Sequence, residues 1–251
     1  MQSDAWHFLQ KYTPARIARG RAGHSISTSE LLKFQADHAQ ARDAVYSVIA
    51  IQELTQNLSH IVSLPIISLK SEVKNRSQYL QRPDLGRTLS QASRTILLNT
   101  ECSESDICFV IADGLSAQAI NDNALPMIEN LLIGLEKINW KIAPICLVEQ
   151  GRVAIADEIG FLLKSEIVVI LIGERPGLTS PNSMGAYITY HPKVGMTDES
   201  RNCVSNIRPE GMNFHMATDK ILYVLTEMKT KKLSGVNLKD EFDKNKLHTI
   251  S

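Results

Sequence analysis

The chain has 251 residues, and Lys+Arg and Asp+Glu both total 27, so the formal net charge is zero. That balance lacks the basic footprint of a nucleic-acid binder, and 43 % hydrophobic residues exclude a disordered chain. No apolar run reaches the roughly 20 residues a membrane helix needs.

The N-terminal MQSDAWHFLQKY lacks the apolar core of a signal peptide. Together with Cys102, Cys108, Cys146 and Cys203, none of which forms a C-x-x-C pair, this points to a soluble cytoplasmic protein with free thiols. TPARIARGRAG (13–23) is a basic, glycine-punctuated loop, read as ordinary surface or as an anion site. Ser27 to Glu30 spells S-x-x-E, a capping box. The stretch behind it has no Gly or Pro, and predicts one long helix to about Leu58. On it Gln35, His38 and Arg42 share a face, which is a solvated polar surface or a contact for a partner chain. Residues 59–100, broken by Pro65 and Pro83, read as further helical or irregular structure. Residues 1–100 are thus expected to form a mostly helical N-terminal region.

From Ile107 the pattern changes. ICFVIA (107–112), IAPICLV (142–148) and EIVVILIG (166–173) are strand signals. Between them lie helical patterns over 117–138, where Pro126 predicts a kink or restart, and over 153–163. This β-α-β-α-β order predicts an α/β chain whose mainly parallel sheet occupies residues 101–251. MGAYITYHP (184–192) adds an extended piece, residues 214–233 a final amphipathic helix, and the tail from Ser234 is polar.

All three apolar strands end in turn-plus-polar segments: DGLS (113–116), EQGRV (149–153) and GERPGL (173–178). In a parallel sheet these ends share one edge, where open α/β sheets bind ligands, and the helices that follow bring free N–H groups to it. The glycine fingerprints of dinucleotide and P-loop sites are missing. A ligand rich in amides or hydroxyls therefore suits the edge better than NAD or ATP. RNCVSNIRPEG (201–211) is either an ordered loop or a wall of the ligand pocket. Cys203 within it has no His neighbour in sequence and is assigned no catalytic role. No His, Asp or Glu cluster has metal-ligand spacing.

Taken together, TPARIARGRAG, FQADHAQARDAV (34–45), FVIADGLSAQA (109–119), GRVAIADEIG (151–160), LIGERPGLTSPNSMGAYITY (171–190) and RNCVSNIRPEG resemble the small (light) subunit of ethanolamine ammonia-lyase. The resemblance covers nearly the whole chain. It implies one subunit of an adenosylcobalamin-dependent lyase that converts ethanolamine to acetaldehyde and ammonia by radical chemistry. The large (heavy) subunit would carry the substrate site in its barrel. The small subunit would cover the corrin with a Rossmann-like domain, and its N-terminal region would meet the large subunit. Three cofactor contacts carry over by motif: Val153 in GRVA, Glu174 in IGERPG and Cys203 in RNCVSN. Glu174 can accept N–H bonds from the corrin's amide arms, whereas Val153 and Cys203 would act through backbone or packing. The D-x-H-x-x-G pattern of proteins that replace the lower base with histidine is absent, which favours cobalamin with its own base attached. Many family members carry a longer N-terminal extension tied to a bacterial microcompartment. Here the shared pattern starts near Trp6, so the cytoplasm is the expected location and encapsulation only a family setting. The alternatives are a stand-alone nucleotide-binding α/β enzyme and a non-catalytic assembly protein.

Overall fold

The computed structural model describes residues 4–13, 15–21 and 23–242. Positions 14 and 22 of the arginine loop, and the tail beyond 242, lie outside them. Among the described residues six strands form one sheet: β1 (Ile66–Lys70), β2 (Ser105–Ala112), β3 (Ile145–Glu149), β4 (Ser165–Gly173), β5 (Met184–Tyr190) and β6 (Arg201–Ile207). Their order is β1-β3-β2-β4-β5-β6. The first four pair in parallel, and β5 and β6 add two antiparallel ladders beside β4. Seven α-helices surround the sheet: α1 (Thr28–Tyr46), α2 (Ile51–Ile61), α3 (Arg76–Gln81), α4 (Gln91–Leu98), α5 (Ala117–Glu136), α6 (Ile155–Leu162) and α7 (Phe214–Lys231). The expected α/β class with a mostly parallel sheet is present, and its connections are consistent with a Rossmann-like arrangement.

The central strands read as continuous apolar runs because both faces are covered. Ile107, Phe109 and Ile111 of β2 point into a core shared with α2, α5 and α7. Cys108, Val110 and Ala112 point into a second core under α4 and α6. The small buried thiols Cys108 and Cys146 sit in this second layer, and all four cysteines are free.

Four local expectations change. Residues 59–100 contribute a strand: β1 begins after Pro65, whose carbonyl accepts the Ile145 N–H at 3.0 Å, and runs in register with β3. Proline is tolerated at that first position, where it costs no ladder donor. The predicted single helix from Ser27 to Leu58 is instead two. The Ser27 cap is formed as expected, but α1 stops at Tyr46. Two polar side chains hold the break open. Ser47 Oγ donates to the Ala44 carbonyl at 2.6 Å and accepts the Gln118 N–H of α5 at 2.9 Å. Asn121 of α5 accepts the Ala50 N–H and donates to the Val48 carbonyl, both at 3.0 Å. Backbone groups freed by the break are thus satisfied by α5, as buried polar groups must be. Third, α5 runs through Pro126 without restarting, with Asn130 Nδ2 donating to the Pro126 carbonyl at 2.7 Å. Fourth, the first seven residues of RNCVSNIRPEG, read as an ordered loop or a pocket wall, form the edge strand β6.

At the carboxyl edge the ends of β2, β3 and β4 are locked together. Asp113 is 3 % exposed, and its Oδ1 accepts the Gly151 N–H at 3.1 Å. Arg76, at the start of α3, lies 3.6 Å from Asp113 Oδ2 and donates to the Gly114 carbonyl at 2.9 Å. Tyr79 is fully buried between Arg76 and Arg152, whose guanidiniums lie 4.6 and 4.1 Å from its ring centroid, and its hydroxyl donates to the Gly151 carbonyl at 2.8 Å. Burial raises the Asp113 pKa to about 6, against the lowering effects of Arg76 and of the backbone N–H groups at Gln150, Gly151 and Gly114.

Two predictions follow from these contacts. Asn121→Ala removes both side-chain bonds at the α1–α2 break; it should cost about 1–3 kcal/mol in urea denaturation and speed hydrogen exchange at the Ala50 amide. Asp113 has a folded pKa above its ordinary 3.8. Its contribution is therefore most favourable below about pH 4 and is lost as pH rises through about 6. The stability of the wild type minus that of Asp113→Asn should fall across that window by roughly 3 kcal/mol and stay flat above it. A difference that rises with pH would refute the assignment.

Candidate functional site

Two of the three strand-end loops are occupied by the chain itself. DGLS and EQGRV bond to each other and to α3 through Asp113, Arg76 and Tyr79. The third end, at Glu174, faces outward. Gly114 and Gly173 force this division. Gly114 has φ +57°, and a Cβ there would meet the Gly173 carbonyl oxygen at 2.2 Å; a Cβ on Gly173 would meet that of Ser116 at 2.0 Å. The β2 turn therefore seats against the end of β4, with the Leu115 N–H donating to the Gly173 carbonyl at 2.9 Å.

Glu174 follows at once, half-buried. Its N–H donates to the Ser183 carbonyl at 2.9 Å. Its Oε2 accepts the Ser183 hydroxyl and, at 3.3 Å, the Asn206 N–H. Its Oε1 lies over Gly185, where a Cβ would approach to 2.9 Å. One carboxylate oxygen is thus fixed by the fold. The other accepts no hydrogen bond among the described residues.

Cys203 lies on the same side of the sheet. It pairs in register with Tyr187 across the β5–β6 ladder. Burial against the strand raises the thiol pKa, a contact with the Tyr187 hydroxyl lowers it, and the Glu174 charge raises it. The net shift is upward, so Cys203 is a neutral thiol at pH 7. That disfavours both a nucleophile and a thiolate ligand. Burial raises the Tyr187 hydroxyl too, reinforced by Cys203 and Glu174.

Val153 stands just before α6, and both it and Tyr187 pack against the second core. The structure therefore brings Glu174 and Cys203 together through Tyr187, and places Val153 on the same side of the sheet at the adjoining loop. An ion pair anchors the same face of β6. Arg201 of β6 is buried and ion-paired to Asp157 in the first turn of α6, and it donates to Asp198 and to the Met196 carbonyl at 2.9 and 3.0 Å. Burial raises the Asp157 pKa, opposed first by the charge of Arg201.

Sequence reasoning missed Ser183, Gly185 and Tyr187. The alternation Gly185, Tyr187, Thr189 was visible as a strand face, but its neighbours depend on antiparallel register with β6, which was not read as a strand. Other candidates resolve more simply. Arg16 and Arg19 of the basic loop pair with Asp37 and Glu30 of α1, so they serve the chain's own acids. Gln35, His38 and Arg42 are all exposed. A groove of about 790 Å³ opens at the opposite, amino-terminal edge beside Lys141, Phe161 and Glu166. Glu166 and Asp106 on that side both pair with Lys229. Among the described residues no group of three or more His, Cys, Asp or Glu side chains could hold a metal ion, and no helix is long and apolar enough to cross a membrane.

The ethanolamine ammonia-lyase light chain family matches residues 3–239. The chain is 51 % identical over 239 residues to the ethanolamine ammonia-lyase small subunit of Azotobacter vinelandii, covering 94 % of this chain and 88 % of that one. It is 50 % identical over 238 residues to the protein of that name from Ralstonia nicotianae, with coverages of 94 % and 88 %. For the one from Xanthomonas campestris pv. campestris the identity is 48 % over 249 residues, covering 98 % and 91 %. With that extent of match added to the sheet and its open carboxyl side, the chain belongs to the ethanolamine ammonia-lyase light chain family.

Proposed function

We propose that this chain is the cofactor-covering subunit of an adenosylcobalamin-dependent ethanolamine ammonia-lyase, active only with a large subunit that holds the substrate. The observation that carries this reading is the half-satisfied carboxylate of Glu174. Its Oε2 is held by Ser183 and Asn206, and its Oε1 is left above Gly185 on an open face. A corrin ring is fringed with primary amides, each with N–H donors. A carboxylate oxygen already oriented by two internal donors accepts such a bond without a further loss of side-chain freedom.

The neighbouring residues fit the same ligand. Val153, the Tyr187 ring and the neutral Cys203 offer a mostly apolar, uncharged floor, and none competes for the metal. When bound, adenosylcobalamin supplies homolysis of its cobalt–carbon bond and the adenosyl radical that abstracts hydrogen from ethanolamine. This chain's residues would orient the corrin, exclude water from its rim, and leave substrate chemistry to the partner. No residue here is assigned a catalytic role.

Partner docking falls to the N-terminal region. α1 has 19 residues and buries only Ala44. Leu31, Leu32, Phe34 and Tyr46 are all exposed on it, and Val48 follows at 79 % exposure. Protein helices draw most of their stability from tertiary packing, and α1 has little within its own chain. The large subunit is the occupant that membership in a light-chain family supports. A stand-alone nucleotide enzyme fits less well, because the β2 and β3 ends where a phosphate would sit are filled by Asp113 and Arg76.

Co-expression with a large subunit tests the proposal. Adenosylcobalamin binding by the heteromer should weaken roughly 10- to 100-fold in Glu174→Ala, the size expected for one charged hydrogen bond. Glu174→Gln keeps a carbonyl acceptor and should lose less. Gly185→Ala, whose Cβ presses on Oε1, should weaken binding while Glu174 remains. Unchanged affinity in Glu174→Ala refutes the cofactor role. Deamination by the isolated chain refutes the division of labour, and full lyase activity after loss of the 166–211 region would leave only an assembly role.

A further inference from the structure

Arg76 stands where the partner-facing and cofactor-facing parts of the chain meet. It opens the short helix α3, and the Nε and Nη1 of its guanidinium reach different segments. Nε donates at 2.7 Å to the carbonyl of Val45, in the last turn of α1. That carbonyl is one of the four a helix leaves without an internal partner, and a cation there also suits the helix dipole. Nη1 donates to the Gly114 carbonyl of the β2 turn at 2.9 Å and to Gln150 Oε1 at 3.3 Å. Gln150 is three residues before Val153, and Gly151 between them is held by Asp113 and Tyr79. The Tyr79 ring stacks on the guanidinium at 4.6 Å and fixes its plane.

We propose that Arg76 is a positioning residue that couples docking of the large subunit on α1 to cobalamin binding beside Val153. The proposal rests on the function given above. α1 buries one residue of its own, so its angle to the sheet depends on a few polar ties at its C-terminal end: Ser47 and Asn121 to α5, and Arg76 to the Val45 carbonyl. A partner that fixes α1 fixes Val45, and through the guanidinium the 149–153 loop. The linkage is reciprocal: whatever affinity the cofactor lends to assembly, assembly lends to the cofactor. Lysine cannot replace this, because an ammonium is a point charge without the planar fork that spans three acceptors.

The test is the ratio of the small-subunit–large-subunit association constants measured with and without saturating adenosylcobalamin, in the dark, on full-length chains. In the wild type the ratio should lie between about 5 and 150, the usual range of coupling. In Arg76→Lys it should drop at least threefold, with the melting temperature of the small subunit within a few degrees of wild type. A residue that merely stabilised the fold would lower both constants and leave their ratio intact, so an unchanged ratio overturns the proposal. Should Arg76→Lys fail to fold, Gln150→Ala removes only the loop-side arm. It should lower the ratio while leaving cofactor-free assembly as in wild type, and an unchanged ratio there is equally fatal. A wild-type ratio near one with cofactor still bound overturns the coupling alone. A wild-type heteromer that binds no adenosylcobalamin overturns the cofactor reading itself, and the coupling with it.

Discussion

The backbone contact between Gly114 and Gly173 is the constraint on which the rest of the carboxyl edge depends. Two turns meet there at a distance that admits no Cβ on either residue, and Gly114 adopts a left-handed φ of +57°. L-residues pay for that conformation, and glycine does not. The chain after β2 leaves into α5, and the loop after β4 returns against the start of that helix, where Ser116 Oγ and Asn123 Nδ2 donate to the Pro181 and Asn182 carbonyls at 2.9 Å. Glu174 is the first residue past the contact. An outward carboxylate at that point is a consequence of close packing behind it.

Beneath that contact lies a buried polar cluster. Asp113, Arg76, Tyr79 and Arg152 replace what would be apolar packing with an ion pair, a stacked ring and several bonds to loop backbone. Such clusters are poor sources of stability, since desolvation offsets the attraction. The raised Asp113 pKa is a direct sign of that cost. What they provide is definition: the Gln150 side-chain oxygen and the Gly151 carbonyl each take a donor from the cluster, Arg76 and Tyr79. Arg76 Nη2 and Arg152 Nε are buried without a partner, so the cluster has unused donors beside the loop that Val153 occupies.

Legibility in the sequence followed the physics of each element. β2 and β4 were readable because strands buried on both faces carry unbroken apolar runs. The capping box of α1 was readable because it is local, and the Ser27 hydroxyl does accept the Glu30 N–H. The break after Tyr46 was not readable, because Ser47 and Asn121 settle it from 74 residues apart in the chain, as the Val48–Asn121 and Ala50–Asn121 bonds show with separations of 73 and 71. β1 and β6 escaped for a related reason. Each lies at a sheet edge, where one ladder and mixed burial leave a short and polar pattern. Glu174 stood out as a charge after an apolar run, whereas Ser183 and Tyr187, which shape its surroundings, needed the β4–β5–β6 register.

The same register explains why the open face can be both preformed and unreactive. β5 and β6 extend the sheet beyond β4, and α6 is tied to β6 through Asp157, which is ion-paired to Arg201, two residues from Cys203 on the same face. The anchor holds the strand rigid at the point where its neighbour is exposed. The Cys203 thiol of β6 and the Tyr187 phenol of β5 are both shifted toward their neutral forms. Beside them stands the Glu174 carboxylate, whose Oε1 accepts no hydrogen bond among the described residues. A surface of this kind offers shape, one directed carboxylate acceptor and no nucleophile at neutral pH, in keeping with the cofactor-covering role proposed above.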